Sequence, residues 1–574
     1  GGLESVGGFG GKAVALAEGT LYANNPGYYK VELERLASAS PDAVKEITSK
    51  WLSRPVFSLT VEPGERTEGG ENRGGAVTSD LKPQTAIQPD QYWNSDLGDN
   101  GPSITDAGYA PDRSKLPDVG SLQALDFPDI ERGKLKNGMQ VIFARRAAVP
   151  TVNVAVSFDA GYAADPKDAL GTQSLMLAMM DEGTTSLTST QLAEAQERLG
   201  ARINANANLD ETVVSAFALK ANLAPTLDLM ADVIRNPAFD AKELERVRAQ
   251  QLNRISAERK APNSIATGVL LPAIYGRAHP YGIPPSGTGD PKVVEKLTRD
   301  NLVAFHNEWL RPDMAKIFVV GDTTLSEVTG LLNKSLGSWK APKKAKPEKN
   351  FDAKIPVPAP KIILIDRPKS PQSVIAAGKV LSVTGRDDLE TLRAANEVFG
   401  GSFLSRINMN LRETKGWSYG VRSRISGNKE QQSFMMFAPV QSDKTGASIL
   451  ELRKDLSAFL GDKGVNGEEL TRTINGNVRE LPGSFETSGD VLRGVRNIEK
   501  YGRDDDYYEK LAETYRGMTV EAIDAAARAQ LKDDDLLFVI VGDAETVKPQ
   551  LEDIGLPIEI RSKDANSVPD YERK

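Results

Sequence analysis

The chain offers little with which to build a metal site or a nucleophile. It contains no Cys and two His, His279 and His306. Disulfides, thiolate zinc sites and Cys nucleophiles are excluded, and a His-rich metal site or a Ser-His-Asp triad would have to form around one of those two imidazoles. His279 stands in the turn-like Ala278-His279-Pro280-Tyr281-Gly282, and His306 on a helix over 301–310 with no second His or tight carboxylate cluster beside it. Both read as structural. Asp181 and Glu182 are adjacent, so at a helix end they point to different faces and do not easily share a metal. Gly7-Gly8-Phe9-Gly10-Gly11-Lys12 fails the phosphate-loop spacing and has no strand before it. Val421-Arg422-Ser423-Arg424 is too short to argue nucleic-acid binding. Arg412 and Tyr419 are more promising: Gly416 lies between them, and a bend there would let both side chains face one cleft. The plainer alternative is a surface Arg at a helix end and a Tyr filling a strand face.

The elements that must position these residues come from a long chain. With 574 residues, 40% hydrophobic and 26% charged, roughly three or four domains are expected. A net charge of −8 repels nucleic acid and anionic membrane. No apolar run approaches the roughly 18–20 residues of a membrane span. One unit, an N-capped helix followed by a β-branched strand, recurs three times. The copies run from Pro41 through Trp51-Leu52 to 56–61, from Leu297 through Trp309-Leu310 to 317–322, and from Met518 through Leu531 to 536–543.

Upstream, Gly19-Thr20-Leu21-Tyr22 through Tyr28-Tyr29 repeats in Glu499-Lys500-Tyr501-Gly502 through Tyr507-Tyr508. Residues 1–63 are therefore expected to be the C-terminal remnant of a preceding domain, and the chain a fragment or processed piece. Residues 64–125 read as a Gly-, Pro- and Asn-rich linker. A complete unit follows at 126–342, with strands at 139–143 and 152–158 and helices at 171–181, 189–199 and 240–260. A basic, solvated linker at 343–355 separates it from a last unit at 356–560, and 561–574 form a polar tail. The fold class is α+β.

Two stretches carry a family resemblance. Asp159-Ala160-Gly161-Tyr162, the helix ending Asp181-Glu182-Gly183-Thr184, and Leu199-Gly200-Ala201-Arg202-Ile203-Asn204-Ala205 form the first. Phe399-Gly400-Gly401-Ser402-Phe403-Leu404-Ser405-Arg406 with Leu411-Arg412-Glu413-Thr414-Lys415-Gly416-Trp417-Ser418-Tyr419 form the second, more specific one. Together they resemble the pitrilysin/insulinase family of zinc metallopeptidases. The resemblance implies homologous α/β sandwich domains, each a mixed sheet packed with helices, arranged as clamshell halves around a chamber for unfolded peptides. An active member carries an inverted His-x-x-Glu-His motif on the first helix and a later Glu ligand. Matched here, the motif falls on Ser174, Leu177 and Ala178, and the later ligand on Asn253, so no catalytic zinc is expected in this chain.

What remains of the family pattern is Arg412 and Tyr419. In similar proteins these hold the peptide and donate to the carbonyl oxygen as it becomes an oxyanion, so both substrate-binding and catalytic roles are implied for them. The resemblance thus points to the zinc-less C-terminal part of a metalloendopeptidase. Zinc would reside in a missing N-terminal part or partner subunit, and this chain alone would be inactive. The rival readings are a non-catalytic scaffold or assembly subunit derived from the family, and a free peptide-binding protein. A periplasmic location suits the absence of Cys, with a cytoplasmic one as the alternative.

Overall fold

The computed structural model describes residues 11–60 and 124–562. The chain divides into two units, Leu16–Leu122 and the remainder. The expected linker lies outside the described residues except at 124–125, and so does the tail beyond Ser562. No described helix is long and apolar enough to cross a membrane.

Up to Leu52 the smaller unit's described part is helical: the part of α1 (Lys12–Ala23) from Leu16 onward, α2 (Tyr28–Ala37) and α3 (Pro41–Leu52). Ser40 caps α3, its Oγ accepting from the Ala43 N–H at 3.2 Å, and Pro41 occupies the first helical position. The sequence predicts a strand at 56–61. Instead Val56, Phe57 and Leu59 stand exposed, and no described strand takes the backbone groups of residues 56–60. An apolar run becomes a strand only where a neighbour accepts its N–H and C=O groups.

The larger unit holds two six-stranded sheets. The first contains β1 (Ile130–Lys134), β2 (Gln140–Arg145), β3 (Thr151–Phe158), β4 (Arg202–Ala207), β5 (Thr212–Leu219) and β6 (Ala315–Gly321), in the order β1-β2-β6-β3-β5-β4. Its helices include α4 (Thr172–Met180), α5 (Ser189–Leu199), α6 (Ala241–Glu258), α7 (Pro262–Tyr275) and α8 (Arg299–Trp309). The second contains β7 (Ile362–Asp366), β8 (Gln372–Thr384), β9 (Arg422–Ile425), β10 (Gln431–Gln441), β11 (Leu537–Gly542) and β12 (Ile558–Ser562), in the order β12-β7-β11-β8-β10-β9. With it come α9 (Glu390–Asn396), α10 (Ser488–Tyr501) and α11 (Val520–Gln530).

The internal repeat is visible in the packing. Thr298 and Thr519 cap α8 and α11, which pack on α4 and α9 respectively. The following strands, β6 and β11, hold matching central positions, each parallel to one neighbour and antiparallel to the other. The copies differ at one edge: β1 lies antiparallel to β2, whereas β12 lies parallel to β7.

Each sheet packs its own helices on one face and a helix from the other copy on the opposite face. Leu270, Leu271 and Ile274 of α7 pack on Val374, Ala376 and Val539 of the second sheet. Val491, Val495 and Ile498 of α10 pack on Ile142, Ala155 and Phe318 of the first. Each such fully buried aliphatic side chain contributes about 1.5–3 kcal/mol, so neither copy closes its core without the other. The segment read as a solvated linker is correspondingly pinned. Arg311 donates to the carbonyls of Pro342, Lys344 and Ala345 at 2.9–3.1 Å. The Lys349 side chain is 6% exposed and reaches Asp159, the Ala160 carbonyl and the Asp210 carbonyl. A cation so buried persists because three oxygens replace its water.

Candidate functional site

The helix that aligns with the zinc motif is α4. Gly171, at φ +102°, turns the chain into it, and the Asp165 carboxylate accepts from the Gly171 and Gln173 N–H groups at 2.7 and 2.9 Å. Burial pushes the Asp165 carboxyl up to about 7. Ser174 and Leu177 are buried, Ala178 partly so, and Leu175, Met176, Met179 and Met180 fill the core all round. Ser, Leu and Ala at 174, 177 and 178 offer no imidazole or carboxylate, so zinc does not fit this corner. Among the described residues no group of His, Asp and Glu is arranged to hold a metal ion.

The sequence match for the later ligand needs correction. Asn253 is exposed on α6. Gln251, about 200° away around the helix, is the residue aimed at the start of α4. Its Nε2 donates to the Gly171 and Thr288 carbonyls at 3.0 and 2.7 Å.

Neither histidine stands in a reactive setting. His306 Nε2 lies 2.8 Å from the Ile234 carbonyl, with Phe239 edge-on to its ring. His279 stacks on Tyr275 and its Nδ1 accepts from the Tyr281 N–H at 3.1 Å; burial pulls its imidazole down to about 4. Glu182 pairs with Arg246 and accepts from Ser189 Oγ, while Asp181 is exposed, so the two carboxylates diverge.

Arg412 and Tyr419 do come together. A short helix, Arg406–Asn408, runs into a π-helical turn, Met409–Thr414, anchored by the fully buried Leu411. Gly416 at φ +66° then reverses the chain, a conformation that favours Gly. The returning segment is tied down residue by residue: Trp417 N–H to the Leu411 carbonyl at 2.9 Å, Ser418 Oγ to the Pro439 carbonyl, Val421 N–H to Asn408 Oδ1 at 2.9 Å. The Arg412 guanidinium lies 5.0 Å from the Tyr419 ring centroid and 4.6 Å from that of Phe403, with its Nε donating to Glu413 at 3.0 Å. Such cation–π contacts contribute about 0.5–1 kcal/mol at exposed sites and orient the guanidinium. Tyr419 is 88% exposed, and its hydroxyl has no hydrogen-bond partner among the described residues. The backbone is fixed while the phenol stands free.

Phe403, which the sequence offers only as part of the family-like stretch 399–406, is 59% exposed beside this pair. Sequence reasoning also undervalued Arg422 and Arg424, which line a cleft of about 360 Å³ between the two copies. The alternation Val421-Arg422-Ser423-Arg424, read with period two, was the available signal: Val421 and Ser423 are buried, and the two arginines lie on the other face.

Known proteins resemble the chain in sequence and in fold. Residues 140–287 match the sequence model of the insulinase family, peptidase family M16, and residues 296–477 match that of the peptidase M16 inactive domain. An uncharacterized zinc protease, YmxG of Bacillus subtilis, is 24% identical over 72% of this chain and 98% of its own length. A Helicobacter pylori protein described as a non-peptidase homolog is 20% identical over 74% of this chain and 96% of its own. Among solved structures, a peptidase M16 inactive domain from Pseudomonas fluorescens superposes with a TM-score of 0.66 at 25% identity, over 72% of this chain and 98% of that one. The first half of the periplasmic protease PqqL of Escherichia coli superposes with a TM-score of 0.60 at 17% identity, over 75% and 95%.

Proposed function

Since the chain belongs to peptidase family M16, we propose that it is the zinc-less C-terminal part of a metalloendopeptidase, forming one wall of a chamber for unfolded peptides. The observation that carries this reading is the Arg412–Tyr419 stack. A phenol hydroxyl without an internal partner, on a loop fixed at 411, 417, 418 and 421, is preorganised to donate to a peptide carbonyl oxygen as charge develops on it. The Arg412 N–H groups not engaged by Glu413 are free to hold a neighbouring peptide carbonyl. Zinc and the water it activates belong to a zinc-bearing N-terminal part or partner subunit. Likeness to PqqL supports a periplasmic location.

Reconstitution tests this reading. Mixed with a zinc-bearing family half, the chain is expected to support chelator-sensitive cleavage of a fluorogenic peptide, and alone to be silent. Cleavage by the isolated chain at the rate of the mixture contradicts it. The second reading, a non-catalytic assembly subunit, draws on the filled core around α4 and on the similarity to a non-peptidase homolog. It predicts silence in every combination.

A further inference from the structure

The cleft between the copies has a charge pattern that its own residues leave incomplete. Arg422 and Arg424 project from the same face of β9, and Arg259, at the C-terminal end of α6, also lines the cleft. The carboxylates in its lining are all engaged locally. Glu258 accepts from Ser286 Oγ and Thr288 Oγ1 at 3.0 and 2.7 Å, Asp290 from the Lys292 N–H at 2.8 Å, and Asp165 from two N–H groups of the α4 entry. Among the described residues none of the three guanidinium groups makes an ion pair. Arg424 is held over the Phe437 ring at 5.4 Å. Desolvation there, with the Arg422 charge beside it, pushes its guanidinium down from the usual value. Two like charges kept close together, with no carboxylate paired to either among the described residues, are relieved by an anion that bridges them.

The position of the cleft says which anion. β9 begins just beyond Tyr419, so a peptide that meets Arg412 and Tyr419 lies at the head of the strand that carries Arg422 and Arg424. We propose that the cleft binds carboxylate side chains of an acidic, extended peptide segment through Arg422 and Arg424, so that the chain selects acidic peptides. This rests on the reading of Arg412 and Tyr419 as peptide contacts. A volume of about 360 Å³ accommodates one or two side chains rather than a folded partner.

Fluorescence anisotropy of the full chain tests it, using a labelled, C-terminally amidated peptide with two Glu residues, its Gln and Lys counterparts, and inorganic phosphate as competitor. The Glu peptide is expected to bind at least about tenfold more tightly than the Gln peptide, with a preference that shrinks as salt rises. Arg422→Ala with Arg424→Ala should erase the preference while leaving binding of the Gln peptide unchanged. Arg424→Glu should shift it toward the Lys peptide. Both arginines lie on the exposed face of β9, where Arg424 loses its contact with the Phe437 ring, so these variants should stay folded with at most a small fall in the thermal midpoint. Equal binding of Glu and Gln peptides, a preference that survives the double substitution, or displacement by phosphate at peptide-like concentrations overturns the inference and leaves the peptide-wall reading standing. Binding of no peptide at all overturns both.

Discussion

The two copies in the larger unit treat the same corner of the fold in opposite ways. In the first, α5 ends on the left-handed Gly200 and passes through Ala201 straight into edge strand β4, and the adjoining α4 is packed solid with Leu and Met. In the second, the matching helix opens into a π-helical turn, and residues 415–421 intervene before edge strand β9. That added segment lifts Tyr419 into solvent and folds Arg412 over it. A shared scaffold therefore does not dictate a shared role. Where the metal-ligating side chains of the family motif are absent, apolar ones occupy the space as core; where Arg412 and Tyr419 stand, the backbone is tied down and the phenol left exposed.

The contrast is most easily upset at α4. Leu177→Glu places a carboxylate in a site that is 4% exposed, and should cost about 3–5 kcal/mol, read as a fall in the urea midpoint. Adding Ser174→His and Ala178→His is expected to leave zinc unbound in equilibrium dialysis. Tight zinc binding with retained stability would show that the corner is a latent metal site rather than core. Next in size is the exchange of helices. Ile498→Ala on α10 and Leu270→Ala on α7 should each cost about 2–5 kcal/mol, and in each variant both copies should unfold in one transition. Separate transitions would mean the copies are autonomous.

Protonation separates the copies further, since both His lie in the first. With its imidazole pulled down to about 4 from an unfolded value near 6.5, His279 binds a proton more readily in the unfolded state. Its contribution is therefore intact above about pH 6.5 and is lost as pH falls toward 4, by up to about 3 kcal/mol. His306, also pulled down by burial, acts in the same direction. Asp165, pushed up to about 7, acts in the opposite one. The measurement is consequently a difference: His279→Gln should lose less stability than the parent between pH 7 and about pH 4.5. Identical losses would show that His279 does not set the acid sensitivity.

Much of this was readable in advance. The strands around 139–143, 152–158 and 537–542 follow from apolar runs, and the caps at Thr298 and Thr519 from hydroxyls preceding helical periodicity. The Gly416 reversal required to join Arg412 to Tyr419 is present. What stayed hidden depends on partners distant in sequence. Periodicity shows that α7 and α10 have apolar faces, and nothing local says that each covers the other copy's sheet. Gln251 and Asn253 differ only in which side of α6 meets α4. Lys349 resembles its solvated neighbours until Asp159, Ala160 and Asp210 converge on it.

The smallest expected effect on folding belongs to the exposed phenol. Tyr419→Phe removes one hydroxyl with no internal partner, so stability should change by less than about 0.5 kcal/mol. The same substitution gives the decisive experiment on catalysis. Chelator-sensitive peptide cleavage is measured for this chain combined with a zinc-bearing family half, comparing the wild-type chain with its Tyr419→Phe variant. A fall in kcat of about 10²–10³ with little change in KM is expected, as for loss of an oxyanion donor. An unchanged kcat, in a mixture that cleaves, would rule the phenol out as that donor and contradict the peptide-wall reading.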